Sequence, residues 1–294
     1  MSTAQPSQEP ESQREQMYGA LLDIVRGTNW MRLRDIAFDE HWERKRQRSR
    51  NPLLGFGRKY FSQNEEDGIL LEICRRIGLE RGAFTELGVG DGLENNTLIL
   101  LMHGWEGVWI GGEKLAFEVP AAGPLFFIEA WITRENCADL VSHGLSSIGC
   151  DVPQVMSVDL DGNDLYVLEA LLGMGLRPDV VVAEYNAKFP PPVRWSVAYD
   201  PGLEWDGSDY VGASLQSIVD MLEKYGYRLV ACNVTGANAF FVRDVHVPNF
   251  ADVPEQIEEL YMEADYNWFV HRGYAASPRT IGRFLERRRA KGKA

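Results

Sequence analysis

Positive charge is scarce in this chain: 30 Lys and Arg stand against 43 Asp and Glu in 294 residues, a formal net charge of −13. A nucleic-acid groove draws its affinity from Lys and Arg neutralising phosphates, so no nucleic-acid partner is expected, and an anionic membrane surface is disfavoured. Long apolar runs are missing too. None approaches the ~18 residues needed to cross a bilayer, so no membrane partner is expected. The start, Met1-Ser-Thr-Ala-Gln-Pro6, has neither the basic nor the apolar region of a secretory leader, and a cytoplasmic location is expected. Cysteines number only four, Cys74, Cys137, Cys150 and Cys232, scattered and without a C-x-x-C pair. Reduced, mostly buried thiols are the expectation. The five histidines, His41, His103, His143, His246 and His271, show no metal-ligand spacing such as H-x-x-x-H. Ser214 and Cys232 lack an evident His partner, which leaves nucleophilic catalysis without support.

Apolar material is plentiful, at 45% of residues, enough for a substantial core. Residues 1–14 are rich in Ser, Gln, Glu and Pro and are expected to form a disordered tail. Residues 15–57 read as a helical extension. Met17, Leu21, Leu22, Ile24 and Val25 recur at helical spacing, and Asn29 is placed to cap a second helix through Trp30, Leu33, Ile36 and Ala37. These helices would either cover a ligand or form a dimer contact. Residues 58–250 form the main domain. Residues 251–294 read as a helical segment, with an amphipathic helix over 254–268, followed by a basic tail whose Arg283 to Lys293 stretch, like Arg44 to Arg50, fits self-association.

Within the main domain, strand-like runs alternate with helical ones: 83–87, 107–111, 125–130, 155–160 and 180–183. Such alternation points to a parallel, doubly wound sheet. The last two runs, 227–233 and 239–243, are joined by too few residues for a crossover helix and read as an antiparallel hairpin. The fold class is therefore α/β, a Rossmann-like, seven-stranded, mostly parallel sheet with the last strand antiparallel, preceded by N-terminal helices. The long connection 187–212, rich in Pro, Trp and Tyr, reads either as a substrate cap or as a structural loop on the sheet edge.

The most informative run is Phe84-Thr-Glu-Leu-Gly-Val-Gly-Asp-Gly-Leu-Glu94, in which Glu86 ends a short strand and glycines follow at 88, 90 and 92. Glycines there remove Cβ atoms where a ligand would press on the backbone and tolerate the positive φ of a tight turn. A dinucleotide fingerprint, G-x-G-x-x-G, needs its third glycine one residue later, at 93, where this chain has Leu. An NAD-dependent oxidoreductase is disfavoured on that spacing.

The E-x-G-x-G-x-G form resembles motif I of class I S-adenosylmethionine (SAM) dependent methyltransferases. With Phe61-Ser-Gln-Asn-Glu-Glu-Asp-Gly68, Ser157-Val-Asp-Leu-Asp-Gly-Asn-Asp164 and Ala183-Glu-Tyr-Asn186, it resembles the FkbM-like methyltransferases over roughly residues 58 to 245. The resemblance implies SAM as cofactor and methyl transfer, chiefly to oxygen, on a small hydroxylated metabolite of natural-product or sugar metabolism. It implies that Glu86, Gly88, Gly90, Asp91 and Gly92 receive the methionine end, Glu113 the ribose hydroxyls, and Glu129 with Trp131 the adenine. Gln63, Glu66 and Asp67 would take the α-ammonium, Asp67 alternatively capping the next helix. Glu113 alternatively is a solvated loop residue and Trp131 a core residue. A bulky residue at 88 is expected to abolish SAM binding and leave folding nearly intact.

For the chemical step, Asp159, Asp161 and Glu184 are the candidate catalytic residues, one of them acting as general base. Asp161-Gly-Asn-Asp-Leu-Tyr166 also resembles the D-G-D-x-Y stretch of the metal-dependent macrocin O-methyltransferase group. On that likeness Asp159, Asp161, Glu184 and Asn186 would hold Mg²⁺. Asp161 alternatively caps the helix starting near Asn163. A homo-oligomer remains open, and so does a non-catalytic nucleoside-binding or scaffold role on the same fold.

Overall fold

Each strand run read from the sequence forms a strand in the computed structural model, which describes residues 11–266 and 276–291. They are β1 (Ala83–Leu87), β2 (Glu106–Gly111), β3 (Leu125–Glu129), β4 (Val155–Val158), β5 (Val180–Glu184), β6 (Tyr227–Cys232) and β7 (Asn238–Arg243). The sheet order is β3-β2-β1-β4-β5-β7-β6. Neighbours from β3 to β5 pair in parallel, and β7 runs antiparallel between β5 and β6, as the short 233–237 connection requires. Strands β1, β4 and β5 are buried almost throughout, which explains why they read as continuous apolar runs and not as alternating ones.

The covering helices are α2 (Glu66–Arg76), α3 (Leu98–Met102), α4 (Cys137–Ser147), α5 (Asp164–Gly173) and α6 (Leu215–Glu223). Helix α4 packs on β2 and β3, α6 on β6, and α5 lies against both α4 and α6. Ser214 caps α6 by accepting from the Ser217 N–H, and Gly78, at φ +75°, follows the end of α2. The core gathers Trp109, Met156, Val181, Phe240 and Phe241, all fully buried. Burying each such side chain is worth about 1.5–3 kcal/mol.

The N-terminal region departs from expectation. One helix, α1 (Glu11–Arg48), replaces two, so position 29 lies inside it and starts no second helix. The only breaker between the two apolar stretches is Gly27, whose cost of about 1 kcal/mol relative to Ala does not end a helix. The Thr28 hydroxyl donates back to the Ile24 carbonyl at 2.8 Å and stays within the helical pattern. Residues 11–14, read as tail, form its first turn, and residues 1–10 lie outside the described residues.

The chain divides into two compact units, the first ending at Arg48 and the second starting at Ser49. The break falls before residue 58 because 51–56 are fastened to the second unit: the Asn51 amide donates to the Val230 carbonyl at 2.8 Å, and Leu53 and Leu54 are buried. Of the helix expected over 254–268, the described residues hold only α7 (Ile257–Leu260). Beyond it Tyr261 is extended, and Tyr185 and Tyr261 tie this stretch to the chain after β5 through the Met262 and Ala187 carbonyls. Trp268 and His271 lie outside the described residues; the last helix is α8 (Pro278–Lys291). Among the described residues no helix is long and apolar enough to cross a membrane.

Candidate active site

The glycine turn leaves the carboxyl end of β1 at the middle of the sheet, where strand order reverses and ligands of open α/β sheets bind. Its three glycines have φ of +87° (Gly88), +49° (Gly90) and +83° (Gly92), but they do different things. A Cβ on Gly88 would lie 1.5 Å from the Asp159 carbonyl oxygen, so that glycine lets β1 and β4 emerge side by side. Replacing it would disrupt the fold, against the expectation that folding stays intact. A Cβ on Gly92 would meet Leu115, Phe117 and Trp109, a packing role. Only Gly90 faces open space.

Glu86 is 2% exposed and its carboxylate is fully engaged. One oxygen accepts from the Asn96 N–H at 2.9 Å. The other accepts from the Thr97 N–H at 3.0 Å and the Thr97 hydroxyl at 2.5 Å, and that hydroxyl in turn accepts from the Trp109 indole at 2.8 Å. Burial pushes the Glu86 carboxyl up to about 7, with the bonds from Thr97 and Asn96 holding it lower than burial alone would. Glu86 thus organises the start of α3 at the edge of the ligand space.

A cavity of about 930 Å³ opens at this turn and runs to the carboxyl ends of β4 and β5. Of the residues singled out from sequence it gathers Gln63, Glu86, Gly88, Gly90, Asp91, Asp159, Asp161, Glu184 and Asn186. Glu66, Asp67, Gly92, Glu113, Glu129 and Trp131 do not line it. Glu113, Glu129 and Trp131 are exposed near the ends of β2 and β3. Trp131 donates its indole N–H to the Pro201 carbonyl at 2.7 Å and stands in close contact with Gly112. It is half exposed, not core.

Glu66 and Asp67 turn inward. Glu66 accepts from the Asn64 N–H and from the amides of Asn233 and Asn238, at 2.6 to 3.1 Å. One Asp67 oxygen accepts the N–H groups of Tyr60, Phe61 and Ser62, so it shapes the loop before α2 and is not that helix's cap. Burial raises Asp67 to about 6. Beside them Glu65, accepting from the Thr235 N–H at 3.0 Å, is raised to about 8 by burial and then by the charge of Glu66. Together these acids lock the 59–68 loop to the β6–β7 turn.

At the far end of the cavity Asp159, Asp161 and Glu184 place one oxygen each within 4.8 Å of one another. Burial first, then the surrounding acids, push Asp159 and Glu184 well above the usual carboxylate range, and the pair shares a hydrogen bond. Burial also raises Asp161. Asp161 sits at φ +51°, the one non-glycine residue with positive φ among the described residues. It does not cap α5. That loop is organised by Asp164, which accepts from the Leu160 and Gly162 N–H groups at 2.7 and 3.1 Å.

The four-residue metal set is not assembled. Asn186 spends its carboxamide on backbone, donating to the Asp209 and Val211 carbonyls and accepting from the Lys188 N–H. The three carboxylates remain as oxygen donors for a hard cation.

The 187–212 connection is both structure and wall. Its first half is pinned by Tyr166 to the Val197 carbonyl (2.6 Å), by Asn163 to the Asp200 carbonyl (2.7 Å), and by the Arg134 guanidinium 4.2 Å over the Tyr199 ring. Its second half, from Trp205 to Gly212, lines the cavity. Sequence reading also missed Lys59, Asn95, Asn238 and Tyr266 as lining residues. Asn238 had a usable signal, since it closes the short turn before β7 opposite Glu184.

No family model matches the sequence, and no curated protein matches it. Among solved structures the chain is similar to Burkholderia thailandensis 1,6-didemethyltoxoflavin-N1-methyltransferase with bound S-adenosylhomocysteine, at 12% identity over 82% of this chain and 93% of that one, TM-score 0.38. It is similar to precorrin-6y C5,15-methyltransferase from Geobacter metallireducens at 14% identity over 65% and 98%, TM-score 0.35. A Lactococcus lactis protein described as a hemolysin matches at 15% identity over 65% and 92%, TM-score 0.41. Likenesses this slight carry no argument about activity.

Proposed function

We propose that this chain is a SAM-dependent methyltransferase acting on a small molecule. The observation that carries the reading is one cavity joining a glycine turn, open at Gly90, to the Asp159, Asp161 and Glu184 carboxylates. SAM has no phosphates to neutralise, and its sulfonium and ammonium suit an acidic wall. Seven lining residues are Asp or Glu against two Lys, and both Lys are paired, Lys59 with Glu94 and Lys188 with Asp209.

In this reading the backbone from Gly88 to Asp91, with Gln63, receives the methionine end. The adenosine extends beyond this cavity along the ends of β2 and β3, where Glu113, Glu129 and Trp131 stand exposed. The Trp205–Gly212 wall bounds the acceptor. Holding acceptor and methyl in line supplies much of the acceleration, about 7–11 kcal/mol for well-oriented reactants. A carboxylate of the cluster takes the acceptor's proton, worth about 10² to 10⁴-fold. The carboxylates serve a hydroxyl and an amine alike in this role, and no step is routed through a metal ion.

The test is calorimetric binding of S-adenosylhomocysteine, followed by transfer of labelled methyl from SAM to a metabolite mixture. Binding with transfer supports the enzyme. Binding without transfer to any acceptor favours the scaffold role, and NAD binding more tightly than SAM removes the reading.

A further inference from the structure

The far end of the cavity is rich in acceptors, although the hydrogen bond between Asp159 and Glu184 needs a proton on one of the two. Besides the three clustered carboxylates, Asn238 lines the cavity, is 3% exposed, and pairs directly across the sheet with Glu184. Its amide nitrogen donates to Glu66 at 3.1 Å, which fixes its carbonyl oxygen, and that buried oxygen has no hydrogen-bond partner. Donors nearby already have partners: the Asn186 amide has backbone carbonyls, Lys188 is paired with Asp209, Tyr266 donates to the Gly236 carbonyl and the Trp205 indole to the Ser208 carbonyl. A hydroxyl brings one donor and two acceptors; an ammonium brings donors only, together with a positive charge that suits three clustered acids.

We propose that the methyl acceptor is an amine, held as its ammonium by Asp159, Asp161, Glu184 and the Asn238 carbonyl oxygen, with the half-exposed Trp205 ring against its apolar body. This rests on the methyl-transfer reading above. The ammonium gives one proton to a carboxylate of the cluster. The freed nitrogen lone pair forms a bond to the methyl carbon as the carbon–sulfur bond breaks. That electron pair stays on sulfur, leaving neutral S-adenosylhomocysteine and an N-methylated ammonium. Trp205 supplies a face for cation–π or apolar contact.

The experiment measures methyl transfer from labelled SAM to a panel of primary amines, each matched to the alcohol of the same skeleton, after S-adenosylhomocysteine affinity has been measured on the same protein. We expect labelled amines, each turned over at least about tenfold faster than its alcohol, the low end for gaining a charge-assisted hydrogen bond. Asp161→Asn keeps a residue that tolerates positive φ, so it should fold, hold S-adenosylhomocysteine within about twofold, and lose amine turnover by about 10² or more. Glu184→Gln should act in the same direction.

Alcohols labelled as fast as amines, amine turnover unchanged in Asp161→Asn, or alcohol transfer that needs added Mg²⁺ would each overturn the proposal. If S-adenosylhomocysteine binds and no amine is labelled, the amine assignment alone falls; if it does not bind, the methyl-transfer reading falls first.

Discussion

Gly88 and Asp159 approach so closely that a single added carbon on the first would sit 1.5 Å from the carbonyl oxygen of the second. The contact joins the turn after β1 to the strand end that carries the acid cluster. Gly88→Ala should therefore act on folding, combining a backbone clash with a strained φ of +87°. Loss of about 3 kcal/mol or more, or insoluble protein, is expected, read by chemical denaturation.

Gly90→Ala separates binding from folding. Nothing lies within 4 Å of the added carbon, and φ is +49°. The backbone cost is about 1–2 kcal/mol, while S-adenosylhomocysteine affinity should fall by more than about tenfold because the methyl group enters the ligand space. Calorimetry on folded protein checks it.

Thr97→Val removes a hydroxyl that donates to Glu86 and accepts from the Trp109 indole. Two buried polar groups lose a partner at once. A loss of about 1–3 kcal/mol is expected in denaturant titrations, with near-normal helical content.

Stability should fall as pH rises from about 4.5 to 8. Glu65 is raised to about 8, Glu86 to about 7 and Asp67 to about 6, so across that window the folded chain holds protons the unfolded chain has released. The stabilising protonation is complete below the unfolded pKa values and is lost through the folded ones. Glu65→Gln keeps an acceptor for the Thr235 N–H and removes one of these titrations. Its melting temperature should depend less on pH and exceed that of the natural chain at pH 8, by roughly 2–4 °C for each kcal/mol recovered. A pH series of thermal melts with unchanged slope would refute this.

Strand positions were legible because each is a short apolar run bounded by turn residues, and the 233–237 connection was too brief for any geometry but a hairpin. Gly88, Gly90 and Asp159 to Glu184 were legible as strand ends, since parallel order brings such ends together. What the sequence concealed was direction. Glu66 and Asp67 look like ligand-facing acids, yet buried backbone N–H groups and the Asn233 and Asn238 amides claim them. Asp161 reads as a cap for the helix after β4, yet it sits at φ +51° and it is Asp164 that accepts the loop N–H groups. The N-terminal helix reads as two because Asn29 is a good capping residue, although it does not outweigh the helix on both sides.

The most direct test is calorimetric titration of the full chain and of Gly90→Ala with S-adenosylhomocysteine, with NAD as the control ligand. The account predicts saturable one-to-one binding by the natural chain, at least tenfold weaker binding by the variant, and no comparable heat from NAD. Equal affinity in both proteins, or NAD binding more tightly than S-adenosylhomocysteine, would contradict it.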